Sequence, residues 1–276
     1  MWEILYYKER PVDPMQETPI ITSRDNAKIK YACKLAASAA FRQSENAFLA
    51  EGLKLCLELA KGTLLKVLYY TERAFEKAPE LAALPGEHYL IQEHVAEKLA
   101  GVQANQGVFG VFALPAFDAD VLHTGGHYLA LERVQDPGNV GTLLRSAAAF
   151  GFDAVILGGG CASPWGGKTL RASMGAVAKL PILETEDLPA TLAQLRAKGV
   201  VCLAAALYNS KPLSEVPTQQ PDGVCVVIGS EGQGLTQQTI DACDSAVRIP
   251  MTDRIESLNA GIAGSVLLWQ FRGAGL

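Results

Sequence analysis

The sequence lacks the features that would assign it to several large classes of protein. No apolar run in its 276 residues approaches the length of a membrane span, and its start, MWEILYYKERP, is too polar for a secretory signal. Charged residues make up only 19%, with 24 basic against 29 acidic side chains. The net charge of −5 argues against a protein that coats nucleic acid by charge alone, although a local basic surface stays open.

The six cysteines do not form a recognisable site either. They are scattered and include no CxxC pair, which indicates neither a zinc centre nor a disulfide framework. We therefore expect a reduced, cytoplasmic protein with no metal and no membrane partner. What the chain has in abundance is apolar residues (49%), enough for one large or two ordinary domains with a buried core.

The first part of the chain predicts a small α/β domain that carries a basic segment. Between residues 20 and 44 the only acidic residue is Asp25. The basic residues of this segment are Arg24, Lys28, Lys30, Lys34 and Arg42. They form either a solvated helix surface or an arm that contacts a phosphate backbone. Downstream, we predict a helix after Phe48, strands in LLKVLYY, HYLI and GVFGVFAL, a short helix in HVAEKLA, and a linker in LPAFDADVLHTGG.

From His127 the pattern becomes regular and predicts a parallel sheet. Helices near 140–150, 189–198, 236–243 and 256–271 alternate with short apolar strands, which are HYLALERV, DAVILG, VVCLAAAL, GVCVVIG and AVRIP. This alternation is typical of an α/β sheet covered by helices on both faces. Ligands of such sheets bind outside the carboxyl ends of the strands, so the segments that follow strands are the place to look for a site.

Two of these segments carry basic residues. In DPGNVGTLLRSAAAFG we expect a helix to begin near Asn139, and Arg145 follows inside an apolar stretch, either at a surface or aimed at a phosphate or carboxylate. LGGGCASPWGGKTLRASMG contains Gly-Lys-Thr but lacks the spacing of a Walker A loop, which argues against a nucleotide triphosphatase. Its Lys168 and Arg171 are either phosphate contacts or part of a solvated helix.

Two further segments are rich in glycine and other small residues. VVIGSEGQGL has glycines on both sides of Glu231, which lets a ligand approach the backbone closely. It is not the GxGxxG fingerprint of a dinucleotide site. IPMTDRIESLNAGIAGSVLLW places Ser257 or Asn259 where a helix begins, and small residues follow on its first turns.

Together and in this order, these segments resemble the SpoU (TrmH-type) branch of the SPOUT methyltransferases. The resemblance covers roughly residues 127–272 and rests on Asn139-x5-Arg145, Gly229-Ser230-Glu231-Gly232, RASMG at 171–175, and Ile249-Pro250-Met251 followed by Ser257-Leu258-Asn259. ITSRDNAKIK and FLAEGLKLC resemble the substrate-binding domain that is commonly fused ahead, which has the fold of a kink-turn-binding ribosomal protein.

The resemblance implies an architecture. The expected parts are an extension (1–20), an RNA substrate-binding domain (21–114), a linker (115–126) and a SPOUT domain (127–276). The fold class is α/β: a small N-terminal α/β domain, and a C-terminal parallel-sheet domain with a deep trefoil knot. Members of the family act as homodimers through the knotted domain, which we expect here too.

The resemblance also implies a reaction, the S-adenosylmethionine-dependent methylation of a ribose 2′-hydroxyl in structured RNA. Ribosomal RNA is favoured over tRNA because the tail lacks the basic extension of some tRNA-specific members. The implied catalytic residues are Arg145, Asn139, Glu231, Ser257 and Asn259. The implied cofactor contacts are Leu207, Gly229, Gly234, Ile249, Met251, Leu258 and Asn259. The implied RNA contacts are the five basic residues of segment 20–44 together with Lys168 and Arg171.

One departure from the family's sequence pattern and three alternative functions stay open at this point. Thr252-Asp253-Arg254 stands where the family usually has a glycine and small residues, so Asp253 either alters cofactor affinity or faces water. The alternatives are a non-catalytic RNA-binding or ribosome-assembly factor that retains the fold, a dinucleotide-dependent enzyme, and a resistance methylase that acts on a single rRNA nucleotide.

Overall fold

The computed structural model describes residues 18–117, 119–218, 220 and 222–273, so almost all of the extension expected over residues 1–20 lies outside the described residues. Residues 18–113, here called the N-terminal unit, contain a five-stranded sheet in the order β1-β4-β3-β5-β2. Its elements in chain order are β1 (Ile20–Ile21), α1 (Ala27–Ala37), α2 (Ala39–Glu45), β2 (Ala47–Glu51), α3 (Leu53–Leu59), β3 (Leu65–Tyr70), α4 (Glu72–Lys77), β4 (Glu87–Ile91), α5 (Glu93–Ala100) and β5 (Val108–Ala113).

The predicted helix after Phe48 is wrong at its start, because Phe48 belongs to strand β2 and helix α3 begins only at Leu53. Strand β2 pairs antiparallel with β5, and its first four side chains are all buried. Such a run, apolar on both faces, cannot be told from a buried helix by periodicity, and the partner strand lies about 60 residues away in sequence. Gly52 then separates strand from helix.

Residues 127–273, here called the C-terminal unit, contain a seven-stranded sheet in the order β10-β12-β9-β11-β6-β7-β8. Every pair of neighbouring strands in this sheet is parallel. Its elements are β6 (His127–Leu131), α6 (Pro137–Ala149), β7 (Ala154–Leu157), α7 (Gly167–Ser173), β8 (Ile182–Glu184), α8 (Leu188–Ala197), β9 (Val201–Ala205), β10 (Lys211–Pro212), β11 (Val224–Ile228), α9 (Gln237–Asp241), β12 (Ser245–Arg248) and α10 (Ala260–Gln270).

The five strands predicted for this unit are confirmed, while several helix boundaries differ. Helix α6 begins at Pro137 rather than near Asn139, because the Asp136 carboxylate accepts the backbone N–H of Asn139 and caps the helix. Helix α10 begins at Ala260, where Asn259 is the cap. Strand β8 and helix α7 are too short to show a periodicity in the sequence. No helix of the described segments combines the length and apolar character that crossing a bilayer requires.

The two units share one hydrophobic core. The Trp165 side chain, only 4% exposed, leaves the loop before α7 and packs on Phe48 of β2, with ring centroids 4.9 Å apart. Phe48 in turn stacks on Phe112 of β5 at 5.7 Å. Strand β2 of the N-terminal unit, backed by β5, is therefore in contact with a loop at the carboxyl edge of the second sheet.

Two ion pairs lie beside this aromatic contact. Arg171 of α7 pairs with Glu51 at 3.1 Å, and Lys179 pairs with Glu58 at 2.8 Å. The hydrogen bond from Lys179, aided by Lys61, holds the pKa of Glu58 at about 2. Exposed pairs of this kind stabilise a protein little, so the relative position of the units depends mainly on the buried aromatic rings.

We predict that Trp165→Ala lowers the free energy of unfolding by about 3–5 kcal/mol, the usual cost of deleting a large buried aromatic side chain. Urea denaturation followed by circular dichroism measures this change. The control is Leu64→Ala, which truncates a side chain that is 66% exposed and should cost less than about 0.5 kcal/mol. Equal stability of the two variants would contradict a shared core.

Candidate active site

Four loops meet at the carboxyl edge of the seven-stranded sheet. They follow β6, β11, β9 and β12, which are consecutive neighbours in the sheet. Because all these strands are parallel, the loops after them leave on the same side. All the predicted catalytic and cofactor-binding residues lie on these loops or on helices α6 and α10 that follow them. This edge is the candidate active site.

The structure brings three predicted residues together. The Asn139 side chain, 7% exposed, donates from Nδ2 to Glu231 Oε1 at 2.6 Å. A Cβ placed on Gly261 would lie 3.1 Å from both Asn139 Oδ1 and Asn259 Oδ1, so these two amide oxygens flank the first turn of α10. Asn259 Oδ1 also accepts the backbone N–H of Ile262. Two amide groups and one carboxylate thus converge where α6, α10 and the loop after β11 meet.

Arg145 and Ser257 do not join this cluster. Both side chains are exposed, and neither makes a hydrogen bond or ion pair with any residue in the described ranges. Arg145 lies on α6 six residues beyond Asn139, about 9 Å further along and about 120° around the helix axis. Its guanidinium therefore faces solvent on another side of α6 and is free to bind an external group.

The loop after β11 is a tight reversal. Ser230 and Gly234 exchange backbone hydrogen bonds of 3.2 and 2.9 Å, and Gly234 has a left-handed φ of +67°. A Cβ on Gly229 would lie 2.3 Å from the backbone of Gly234 and Leu235, so only glycine fits there. This closed turn presents Glu231 to solvent and towards Asn139.

The predicted cofactor contacts surround a shallow apolar surface at the same edge. Leu207 after β9 and Met251 after β12 are 45% and 36% exposed, while Ile249 and Leu258 are half-buried. The backbone N–H of Ala206, directly after β9, donates to the Val247 carbonyl of β12 at 3.0 Å and extends the pairing of these two strands. Thr252, Asp253 and Arg254, where the sequence departs from the family pattern, are all exposed.

Glu132, which sequence reasoning missed, anchors the same loop. Its carboxylate accepts the Thr236 backbone N–H at 2.7 Å and the hydroxyls of Thr236 and Thr239 at 2.8 Å each. The end of β6 is thereby tied to the first turn of α9, immediately after the Glu231 loop. The available signal was an acidic residue directly behind an apolar strand.

Arg133, also missed, is strained. Its φ of +54° is left-handed, a conformation that costs a residue other than glycine about 1–3 kcal/mol. Its Nε is buried without a hydrogen-bond partner among the described residues. A Cβ on Gly160 would lie 3.0 Å from Arg133 Cγ, so the side chain covers that glycine. No pattern in the sequence marks this strain.

The predicted RNA contacts of segment 20–44 are largely paired. Arg24 binds Glu97 at 3.0 Å, Lys28 binds Glu87 at 2.9 Å, and Lys30 binds Asp25 at 2.9 Å. Lys34 lies over the Phe41 ring at 5.7 Å. Three of these basic side chains therefore have their charge offset by a neighbouring carboxylate.

The prediction that Arg42 belongs to an exposed arm of basic residues is wrong. It is 6% exposed, and its Nη1 donates to the backbone carbonyls of Leu35 and Ala36 at the end of α1. By contrast, Lys168 and Arg171 of α7 are exposed, as a phosphate contact requires. Among the residues that the structure describes, no three His, Cys, Asp or Glu side chains are grouped to hold a metal ion.

Comparison with known proteins shows which family the chain resembles. Residues 126–269 match the SpoU rRNA Methylase family, and residues 26–110 match the MRM3-like substrate binding domain. Among curated proteins, the Bacillus subtilis 23S rRNA (guanosine(2553)-2'-O)-methyltransferase RlmP is 32% identical over 92% of this chain and 99% of its own length.

Solved structures agree with the same assignment. An AdoMet-bound rRNA methyltransferase from Sinorhizobium meliloti is 31% identical, with a TM-score of 0.81 over 92% of this chain and 97% of that one. The AviRb SpoU methyltransferase from Streptomyces viridochromogenes has a TM-score of 0.82 over 89% of this chain and 96% or more of its own, at 23% identity, and shows the fold alone.

We predict that Gly229→Ala destabilises the protein by about 1–3 kcal/mol, because its new methyl group would overlap the backbone at Gly234. Gly232→Ala is the matched control, since nothing lies within 4 Å of its Cβ position. It should change stability by no more than about 1 kcal/mol. Thermal unfolding without ligands compares them, and an unchanged Gly229→Ala protein would refute the closed turn.

Proposed function

Because the chain belongs to the SpoU rRNA methylase family, we propose that it transfers a methyl group from S-adenosylmethionine to a ribose 2′-hydroxyl of structured ribosomal RNA. The observation that carries this proposal is the cluster of Asn139, Glu231 and Asn259 at the carboxyl edge of the sheet. Similarity to RlmP along nearly its whole length favours rRNA over tRNA as the substrate. A cytoplasmic location fits that substrate and six cysteines that are all free thiols.

The residues at this edge fit the cofactor. S-adenosylmethionine supplies an electrophilic methyl group when bound. The exposed apolar side chains of Leu207 and Met251 offer contacts for its adenosine part, beside the half-buried Ile249 and Leu258. The glycine-rich turn at 229–234 lets backbone groups approach a ligand closely, which supports cofactor roles for Gly229 and Gly234.

Arg145 is the residue that we assign to activation of the ribose. A guanidinium does not lose its proton in proteins, so Arg145 acts by binding the RNA phosphate next to the target ribose. An oxygen of that phosphate, held beside the 2′-hydroxyl, accepts the hydroxyl proton as the hydroxyl oxygen takes the methyl group and the thioether product of the cofactor leaves. Asn139, held by Glu231, orients the ribose from the opposite side. Ser257 and Asn259 complete the hydrogen-bonding groups around the reacting oxygen.

We also propose that the C-terminal unit is knotted. Strand β11 lies between β6 and β9, and β12 lies beyond β9, yet α10 packs back against α6. The chain after β12 must therefore return past the loops that follow β9 and β11. A trefoil knot accounts for this return, and the resemblance to SPOUT methyltransferases supports it.

The domain limits proposed from the sequence remain an extension at 1–20, an RNA-binding domain at 21–114, a linker at 115–126 and the methyltransferase domain at 127–276. The match of residues 26–110 to a substrate-binding domain supports an RNA-binding role for the N-terminal unit. A fold like that of kink-turn-binding ribosomal proteins is part of the proposal. Arg24, Lys28 and Lys30 would then exchange their surface ion pairs for phosphates, and Lys34 would leave the Phe41 ring to do the same.

A homodimer through the C-terminal unit is the last part of the proposal. Helix α10 presents an exposed apolar stripe formed by Ile262, Val266 and Trp269, at spacings of four and three residues. The opposite side of the helix packs on the core, so the stripe is available to a second copy of the chain. Arg145 faces solvent on the neighbouring helix, which fits a site completed by the partner.

The main competing function is a non-catalytic RNA-binding or ribosome-assembly factor. The joint presence of Asn139, Glu231, Asn259 and Arg145 favours the enzyme. A dinucleotide-dependent enzyme is disfavoured because no strand is followed by GxGxxG. Mapping 2′-O-methylated nucleotides in cellular RNA with and without the protein tests the proposal and would also separate a housekeeping from a resistance target. If every position is methylated equally with and without the protein, methyl transfer by this chain is contradicted.

We predict that Arg145→Ala lowers methyl transfer at least about 100-fold, because it removes the charged group that positions the RNA phosphate. Calorimetry should show unchanged affinity for S-adenosylmethionine. Arg196→Ala, on α8 and paired with Asp244, removes an arginine elsewhere and should keep nearly full activity. Wild-type turnover by Arg145→Ala would refute the assignment.

We predict that Val266→Glu converts the protein from dimer to monomer, since it places a charge in the centre of the apolar stripe. Light scattering after gel filtration gives the mass. Val102→Glu changes a valine of the N-terminal unit that is 55% exposed, against 38% for Val266, and should leave the dimer intact. A wild-type monomer, or a dimeric Val266→Glu variant, would contradict an interface on this face.

A further inference from the structure

A cavity of about 420 Å³ lies between the two units. The N-terminal unit contributes one wall, which includes the apolar side chains of Leu49, Leu99 and Ala36. The opposite wall comes from the loop before α7 and from α7 itself, with Lys168 and Arg171. Its volume falls within the range of about 300–1,000 Å³ that is usual for sites of small ligands.

The most informative group in this cavity is Arg42. Its guanidinium lines the cavity, yet the residue is 94% buried, and its Nε has no hydrogen-bond partner among the described residues. Nη2 reaches across to the other unit, since a Cβ on Gly166 would lie 3.9 Å from it. Nη2 also makes no hydrogen bond with a described residue, and unlike Nε it keeps some exposed surface, so it is the donor that a ligand in the cavity can reach. An unpaired donor on a largely buried side chain is costly, and a ligand acceptor at Nη2 would remove the cost.

The charges of the cavity favour an anion weakly. Glu51 is the carboxylate in its lining and is already paired with Arg171 at 3.1 Å. Burial raises the pKa of Glu51, although Arg171 opposes the change. Glu184 lies close enough to act on the charge of Arg42 but is not part of the lining. Lys168 makes no ion pair with any described residue and is available to a phosphate.

The cavity adjoins the candidate active site. Pro137, the first residue of α6, is part of its lining, and Asn139 of the catalytic cluster follows two residues later. A nucleotide in the cavity would therefore lie beside the ribose at Asn139 and Arg145. Sequence-specific recognition of RNA commonly depends on unpaired bases that are turned out and held in pockets.

We propose that this cavity binds one unpaired nucleotide of the RNA substrate, next in the strand to the methylated one. Its base lies against the Leu49 and Leu99 wall, where Arg42 donates a hydrogen bond to it, and its phosphate is bound by Lys168 on the opposite wall. The proposal rests on the proposed function for the identity of the substrate. It gives the junction of the two units a role in selecting the RNA target.

The test measures binding of the four nucleoside 5′-monophosphates to the full chain by calorimetry. Saturating S-adenosylhomocysteine is present, so that the adenosine-binding site is filled. At least one nucleotide should bind the wild type in the millimolar range. Lys168→Glu should weaken this binding at least about tenfold by removing a charge-assisted contact. Ala36→Trp, at an exposed residue of the lining, should do the same by filling the cavity.

Two control variants match these changes. Lys211→Glu reverses an exposed lysine at the far edge of the sheet, and Ala37→Trp adds the same bulk at an exposed position outside the lining. Both should stay within about twofold of the wild type. The proposal is overturned if no nucleotide binds up to roughly 10 mM. It is equally overturned if the cavity variants and their controls bind alike.

Failure of the proposed function would look different. It would appear as absent methyl transfer by the wild type, a result on which none of these binding measurements depends. If the enzyme is active, Lys168→Glu and Ala36→Trp should raise KM for the RNA at least about tenfold with little change in kcat. An unchanged KM in both variants would also overturn the nucleotide pocket.

Discussion

The feature on which the rest of the structure depends is the parallel direction of all seven strands in the C-terminal sheet. Parallel strands send every following loop to one edge, and the strand order places the loops after β6, β11, β9 and β12 side by side. Asn139, Glu231 and Asn259 come from three distant parts of the sequence and meet only for this reason. The hydrogen bond of Asn139 to Glu231 and the carboxylate of Glu132 then hold the edge in a defined shape.

The N-terminal unit packs against a loop at this same edge. Trp165 makes this contact by packing on Phe48, and the cavity that contains Arg42 lies beside the same contact. The loop that carries Trp165 continues directly into α7 with Lys168 and Arg171. One short segment therefore joins the units, lines the cavity and carries basic residues towards the site.

Much of the candidate site was predictable, because its residues follow apolar strands and match the motifs of the SpoU family. Asn139, Glu231 and Asn259 belong to this group. What could not be predicted depends on contacts between distant segments. Strand β2 is apolar on both faces, so only its pairing with β5 distinguishes it from a helix, and the role of Trp165 exists only in the packed structure. The left-handed backbone of Arg133 leaves no mark on composition or spacing.

The buried Phe48–Trp165 contact has a consequence for how such enzymes change their targets. A substrate-binding domain joined by a flexible tether could be exchanged between relatives with little penalty. Here an exchanged domain would have to bring a matching aromatic surface, or Trp165 would be left in water. Recombination of whole domains is therefore restricted to closely matched partners. Point substitutions in the walls of the cavity, which we propose as a nucleotide pocket, would leave this contact intact and offer a simpler route to a new RNA target.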